Sequence, residues 1–150
     1  MEDIIESTLS DDEIARLAGA YEDSRVDGGE AEIVAKFQYA YALLKSTHSQ
    51  DVSHGITIFE KLYYEGNVNN RRDYLYYIAI GHTKLRHYDF ALDCVEQFLK
   101  FEPENRQAKQ LRAYIKEKLT KDGLTGIAIT AGAVLVIGAL VGLGLSLAKK

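Results

Sequence analysis

Proline occurs once in the 150 residues, at Pro103, tryptophan is absent, and Cys94 is the only cysteine. Each scarcity excludes something. A chain with one proline and long stretches of good helix formers is not a loop-rich or sandwich protein. No stretch alternates apolar and polar residues with period two for long enough to build a sheet, so the expected fold class is all-α. A single cysteine permits no intrachain disulfide and fits a reducing compartment. Bases are scarce at the start: residues 1–35 hold eleven acids and only Arg16 and Arg25. That acidic third repels phosphate and argues against a nucleic-acid partner. It also leaves Met1–Glu6 without the basic character of a secretory or mitochondrial presequence.

Catalytic signatures are missing as well. There is no G-x-x-x-x-G-K phosphate loop and no nucleophile elbow, and the expectation is a protein that is not an enzyme. His82 and His87 are five apart, without the i, i+4 spacing of a zinc pair, while His48 and His54 flank a loop. No metal or other cofactor is expected. Cys94 reads as a packed side chain rather than a nucleophile.

What the chain does have is a tail. Leu124 to Ala148 is a run of 25 uncharged residues. As a helix it spans about 37 Å, against a hydrocarbon core of about 30 Å, and a domain this small has no partner surface to cover every face of it. The expectation is a single transmembrane helix over about 124–148 that anchors the chain in the lipid bilayer. Lys121 and Asp122 precede the run, and Lys149 and Lys150 follow it. With so little after it, the anchor emerges last and the remainder stays cytosolic. Five glycines and basic flanks fit mitochondrial and peroxisomal outer membranes better than the endoplasmic reticulum. Gly138 and Gly142 form a G-x-x-x-G pair, which would allow two anchors to pack as a homo-oligomer. Residues 106–121 carry six bases and one acid, a stretch expected to lie beside an anionic lipid surface.

Upstream, helices can be placed in order. Ser10 and Glu13 make a capping box, followed by an apolar stripe at Ile14, Leu17, Ala18 and Tyr21. Gly28-Gly29 ends that helix. Others are expected near 30–46, 52–65, 71–85, 88–101 and 104–121. The result is a six-helix bundle over 10–121, preceded by an arm (1–9) and followed by the tail anchor (122–150). The arm's apolar residues, Ile4, Ile5 and Leu9, cannot bury themselves, so the arm is either disordered or lies across the bundle.

Four of these helices pair as tandem tetratricopeptide-like hairpins. Between Arg72 and Asn105 the repeat positions are Ile78 at 7, Ala79 at 8, Tyr88 at 17, Ala91 at 20, Val95 at 24 and Pro103 at 32, with a departure at Phe98 (27). Upstream, Ala40 stands at 8, Gly55 at 20, Phe59 at 24 and Leu62 at 27. Such hairpins stack so that their first helices line a concave groove. The facing positions are Phe37, Tyr41, Leu44 and Lys45, then Tyr76, Ile80, Thr83 and Lys84. They describe an apolar groove with a basic rim, suited to an amphipathic helix or extended peptide.

The stretches FQYAYALLKS (37–46), GITIFEKL (55–62), RRDYLYYIAIG (71–81), HYDFAL (87–92), EPENRQAKQL (102–111) and KDGLTGIAI (121–129) carry a resemblance. The chain resembles the mitochondrial fission 1 protein family. That resemblance implies a receptor on mitochondrial and peroxisomal outer membranes that recruits fission machinery, a dynamin-related GTPase or its adaptors. It also implies a partner-binding groove that includes Tyr39, Leu43, Tyr77, Ile80 and Lys84, with the N-terminal arm able to fold across it. The rival reading is a tail-anchored co-chaperone that grips acidic chaperone tails. That grip needs Lys and Asn where this chain has Phe37 and Tyr41.

Overall fold

The computed structural model describes residues 1–122, and the expected anchor, with Lys149, Lys150, Gly138 and Gly142, lies outside them. Among the described residues there are seven α-helices and no strand: α1 (Glu2–Glu6), α2 (Asp11–Asp27), α3 (Gly29–Leu44), α4 (Ser49–Glu65), α5 (Arg71–Lys84), α6 (Tyr88–Phe101) and α7 (Arg106–Lys121). A short 3-10 turn, Val68–Asn70, leads into α5. The count corrects the sequence expectation of six. The extra helix is α1, one turn long and too short to show a period.

Local signals set the boundaries. At the start of α2, the Ser10 hydroxyl accepts from the Glu13 amide at 3.3 Å, and the Glu13 carboxylate accepts from the Ser10 amide at 3.2 Å. This capping box satisfies donors that the first turn leaves free. Gly28 and Gly29 both adopt positive φ, 65° and 68°, so the α2–α3 corner needs glycine twice. Asn105 caps α7 by accepting from the Ala108 amide at 3.0 Å.

Each helix from α2 to α7 packs on the next, an up-and-down array, and α5 also touches α1, α3 and α7. The two hairpins, α3–α4 and α5–α6, cross closely because small residues stand at the crossings. Ala40, Ala79 and Ala91 are fully buried. A Cβ on Gly55 would sit 2.9 Å from the Ala40 carbonyl oxygen, so only glycine lets α4 approach α3 this closely. Phe59, Leu75, Ile78, Val95, Leu111 and Ile115 fill the space between the layers. Burying side chains of that size is worth about 1.5–3 kcal/mol each, which makes this seam the main source of stability.

The α5–α6 turn is held by an unusual backbone. Arg86 has φ 63°, the one non-glycine residue with positive φ among the described residues. Its amide donates to the Thr83 carbonyl at 3.0 Å, and the His87 amide donates to the His82 carbonyl at 2.8 Å.

Candidate functional site

The first helices of the hairpins, α3 and α5, lie side by side with α7 next to α5. Together they form the concave face. Tyr77 is the hub of its aromatic lining. Its ring lies 5.2 Å from Phe37 and 5.5 Å from Tyr41, both edge-on, and 5.7 Å from Tyr76. Behind it, Phe59 stacks on Tyr77 at 5.2 Å and anchors the hub to α4. Edge-to-face and offset pairs of this kind hold rings in place beyond what area burial provides. Phe37, Tyr41, Tyr76 and Tyr77 are half-buried, so each keeps surface available to a partner.

The basic rim is real but not free. The Lys45 ammonium sits over the Tyr41 ring at 4.9 Å. The Lys84 Nζ and the Tyr76 hydroxyl are both withdrawn from water without a hydrogen-bond partner. Burial, reinforced by nearby Lys45, lowers the Lys84 pKa, and burial raises that of Tyr76. Two unsatisfied polar groups on one groove wall suit an acceptor-bearing ligand better than a purely apolar one.

At the other end of α5 the groove opens into two adjoining clefts. One, of about 240 Å³, is lined by Phe37, Asn70, Asp73, Tyr74 and Tyr77. The other, of about 230 Å³, runs past Arg72, Tyr76, Phe98 and Glu102. Arg72 bridges Asp73, at 2.9 Å, and Glu102. Sequence reasoning missed this charged mouth, because Glu102 lies thirty residues from Arg72 in sequence. A larger cleft, about 620 Å³, lies away from the groove between the start of α3 and the end of α4, lined by Ile33, Val34, Lys36 and Lys61 among others.

Four of the expected groove residues are not on its surface. Leu43 and Leu44 are fully buried and face α4, where a Cβ on Gly55 would come within 3.1 Å of both. They shape the groove from behind and present nothing to a partner. Tyr39 points away from the groove, stacked on Tyr21 at 5.9 Å and edge-on to His54 at 6.0 Å. Two residues along a helix is a rotation of about 200°, so Tyr39 and Tyr41 cannot share a face. Ile80 belongs to α5 and is 3 % exposed, closed off from water.

The arm is ordered and lies on α5. Ile5 is buried, the Leu9 amide donates to the Lys45 carbonyl at 3.0 Å, and Glu6 reaches Lys118 of α7 at 3.9 Å. Its contacts thus run from α3 through α5 to α7, across the Lys45–Lys84 end. The basic helix α7 is also largely partnered within the chain. Lys109, Arg112 and Lys121 pair with Glu104, Glu96 and Glu117 at 2.7, 3.5 and 2.5 Å. Cys94 is buried, and burial pushes its thiol pKa well up, the opposite of a reactive cysteine. Among the described residues no cluster of His, Cys, Asp or Glu could hold a metal ion, and no helix is long and apolar enough to cross a membrane.

Two hairpins in repeat register, flanked by a helix on each side and hollowed on the α3–α5 face, define a tandem tetratricopeptide-repeat domain of the adaptor type. The Fis1 N-terminal tetratricopeptide repeat family model matches residues 35–66, and the Fis1 C-terminal tetratricopeptide repeat model matches 72–124. The mitochondrial fission 1 protein of Homo sapiens is 33 % identical over 151 residues, covering 100 % of this chain and 99 % of that protein. Yeast Fis1 in its crystal structure with an Mdv1 fragment superposes with a TM-score of 0.70 at 29 % identity, over 79 % of this chain and 91 % of that one. Yeast Fis1 complexed with a Caf4 fragment gives a TM-score of 0.55 at 31 % identity, over 64 % of this chain and 95 % of that one. The chain belongs to the mitochondrial fission 1 protein family.

Proposed function

We propose that this chain is a tail-anchored adaptor of the mitochondrial outer membrane whose concave groove recruits organelle-fission machinery. The observation that carries the reading is the Tyr77-centred groove. It is apolar along its floor, holds two unsatisfied polar groups, and opens at the Asp73 end. Its relatives supply the direction, since yeast Fis1 is found with fragments of Mdv1 and of Caf4. An amphipathic helix or extended segment of a fission adaptor is the ligand such a groove fits, and through it a dynamin-related GTPase reaches the membrane. The arm over the Lys45–Lys84 end then competes with that ligand, so apparent affinity falls with the fraction of time the groove is covered.

The uncharged run 124–148 serves as the anchor, flanked by Lys121, Lys149 and Lys150, with Gly138 and Gly142 as a packing surface for a second copy. The same anchor serves peroxisomes. A fluorescent fusion carrying only residues 121–150 should decorate mitochondria, with a minor peroxisomal signal. Replacing Lys149 and Lys150 by Ser should leak it to the endoplasmic reticulum. A fusion that stays soluble, or is unaffected by losing both lysines, refutes the anchor or its address respectively. The co-chaperone reading gains nothing from the geometry, because Phe37 and Tyr41 are committed to the aromatic cluster.

A further inference from the structure

Asp122, the C-cap of α7, stands two residues before the uncharged run begins at Leu124. One of its carboxylate oxygens gathers three donors from the α5–α6 corner. The Tyr88 hydroxyl donates at 2.7 Å, the Arg86 Nε at 3.1 Å and the Arg86 Nη2 at 2.7 Å. Tyr88 is 5 % exposed, and Arg86 sits in the turn at a positive φ of 63°. Charge-assisted bonds of this length are about twice as strong as neutral ones. Residue 122 of an otherwise fraying helix end is therefore tied to a corner more than thirty residues earlier in the chain.

We infer that this three-donor latch on Asp122 fixes the attitude of the whole domain on the bilayer, with the α5–α6 corner facing the lipid and the open mouth of the groove facing away. The inference rests on the anchor reading above. Without the latch, the last turn of α7 would fray and leave a swivel between domain and anchor. With it, the chain leaves the domain at the end where α5 finishes and α6 begins. Because α3, α4 and α5 run up and down beside one another, the α3–α4 turn at Thr47 lies at that same end, and the α4–α5 turn at Asn69 lies at the opposite one. The arm's contact at Lys45 is then on the bilayer side, while the Asp73–Glu102 mouth points to the cytosol. A partner enters from the cytosolic mouth and meets the arm only as it advances toward the lipid.

The test uses the full chain in phosphatidylcholine vesicles carrying a lipid-borne acceptor dye. Donor dyes are placed on Thr47→Cys or Asn69→Cys with a membrane-impermeant reagent. Both sites are exposed, and native Cys94 is buried. The sites sit at opposite ends of α4, whose 17 residues measure about 25 Å. Energy transfer should be clearly stronger from position 47 than from 69, and Tyr88→Phe or Asp122→Ala should bring the two efficiencies together. Tyr88→Phe removes only a hydroxyl, so unchanged circular dichroism keeps that arm interpretable. Vesicles that float without the chain overturn the anchor reading and this inference with it. A chain that floats but transfers equally from both sites, or keeps its difference in both variants, overturns the latch alone.

Discussion

Replacing Gly55 by alanine should destabilise the domain, whereas the same change at Gly19 should stabilise it. Both glycines lie inside helices, so the gain in helix propensity, roughly 1 kcal/mol, is common to the two. What differs is space. A Cβ at Gly55 would lie 2.9 Å from the Ala40 carbonyl oxygen and 3.1 Å from both the Leu43 Cβ and the Leu44 Cδ2. The first of these is backbone in the middle of α3 and cannot rotate aside, so α3 and α4 must separate by a few tenths of an ångström. Overpacking of that kind costs about 1–3 kcal/mol. At Gly19 nothing lies within 4 Å of the added atom. The difference between the two variants cancels propensity and isolates the steric cost. At about 4 °C per kcal/mol for a domain this size, their melting temperatures should differ by roughly 4–12 °C. Thermal and urea unfolding of residues 1–122, followed by helical circular dichroism, measures it. A Gly55→Ala domain that melts with or above Gly19→Ala would refute the close α3–α4 crossing and the repeat register built on it.

Ala79→Leu should lower stability by about 1–3 kcal/mol for the same reason at the α5 crossing, since Ala79 has no exposed surface; urea midpoints check it. His82 gives a pH dependence. Burial, with a smaller contribution from His87, pushes its pKa down to about 4, so the folded state keeps it neutral while the unfolded chain protonates near 6.5. Stability is therefore full above pH 6.5 and declines as the pH falls toward 4, by on the order of 2–3 kcal/mol. His82→Gln should flatten that decline, and urea midpoints at stepped pH would show it. Asp122 works at lower pH. The Tyr88 and Arg86 hydrogen bonds hold its carboxyl below the usual range, so what it contributes is present above that range and lost as the pH falls through its folded-state value. Asp122→Asn should reduce the acid sensitivity of α7's last turn, read by amide exchange.

Legibility in the sequence followed the range of the interaction. Ala40, Gly55, Ala79 and Ala91 could be found because two helices can approach closely only over small side chains, and the repeat spaces those residues regularly. The capping box and the Gly28-Gly29 corner are local, within three residues, and were equally readable. The arm's helix was not, since five residues hold too little period to reveal it. Tyr39 went to the wrong face because matching a stretch by likeness does not respect the 100° step of a helix. Leu43 and Leu44 failed for a related reason: on a helix packed by both neighbours, an apolar residue does not declare which side it serves. The Asp122 latch and the Arg72 bridge join residues thirty or more apart, and nothing local to either partner announces them.

The partner groove is tested most directly by calorimetric titration of a helical fission-adaptor segment into residues 1–122 and 10–122, each with and without Tyr77→Ala. Removing the arm should tighten binding. Tyr77→Ala should weaken it in both backgrounds by about 2 kcal/mol, roughly thirtyfold in Kd, because Tyr77 is the ring on which Phe37, Tyr41 and Tyr76 converge. Affinity that ignores Tyr77→Ala in both backgrounds, with the fold intact, would contradict the assignment of the α3–α5 face as the site.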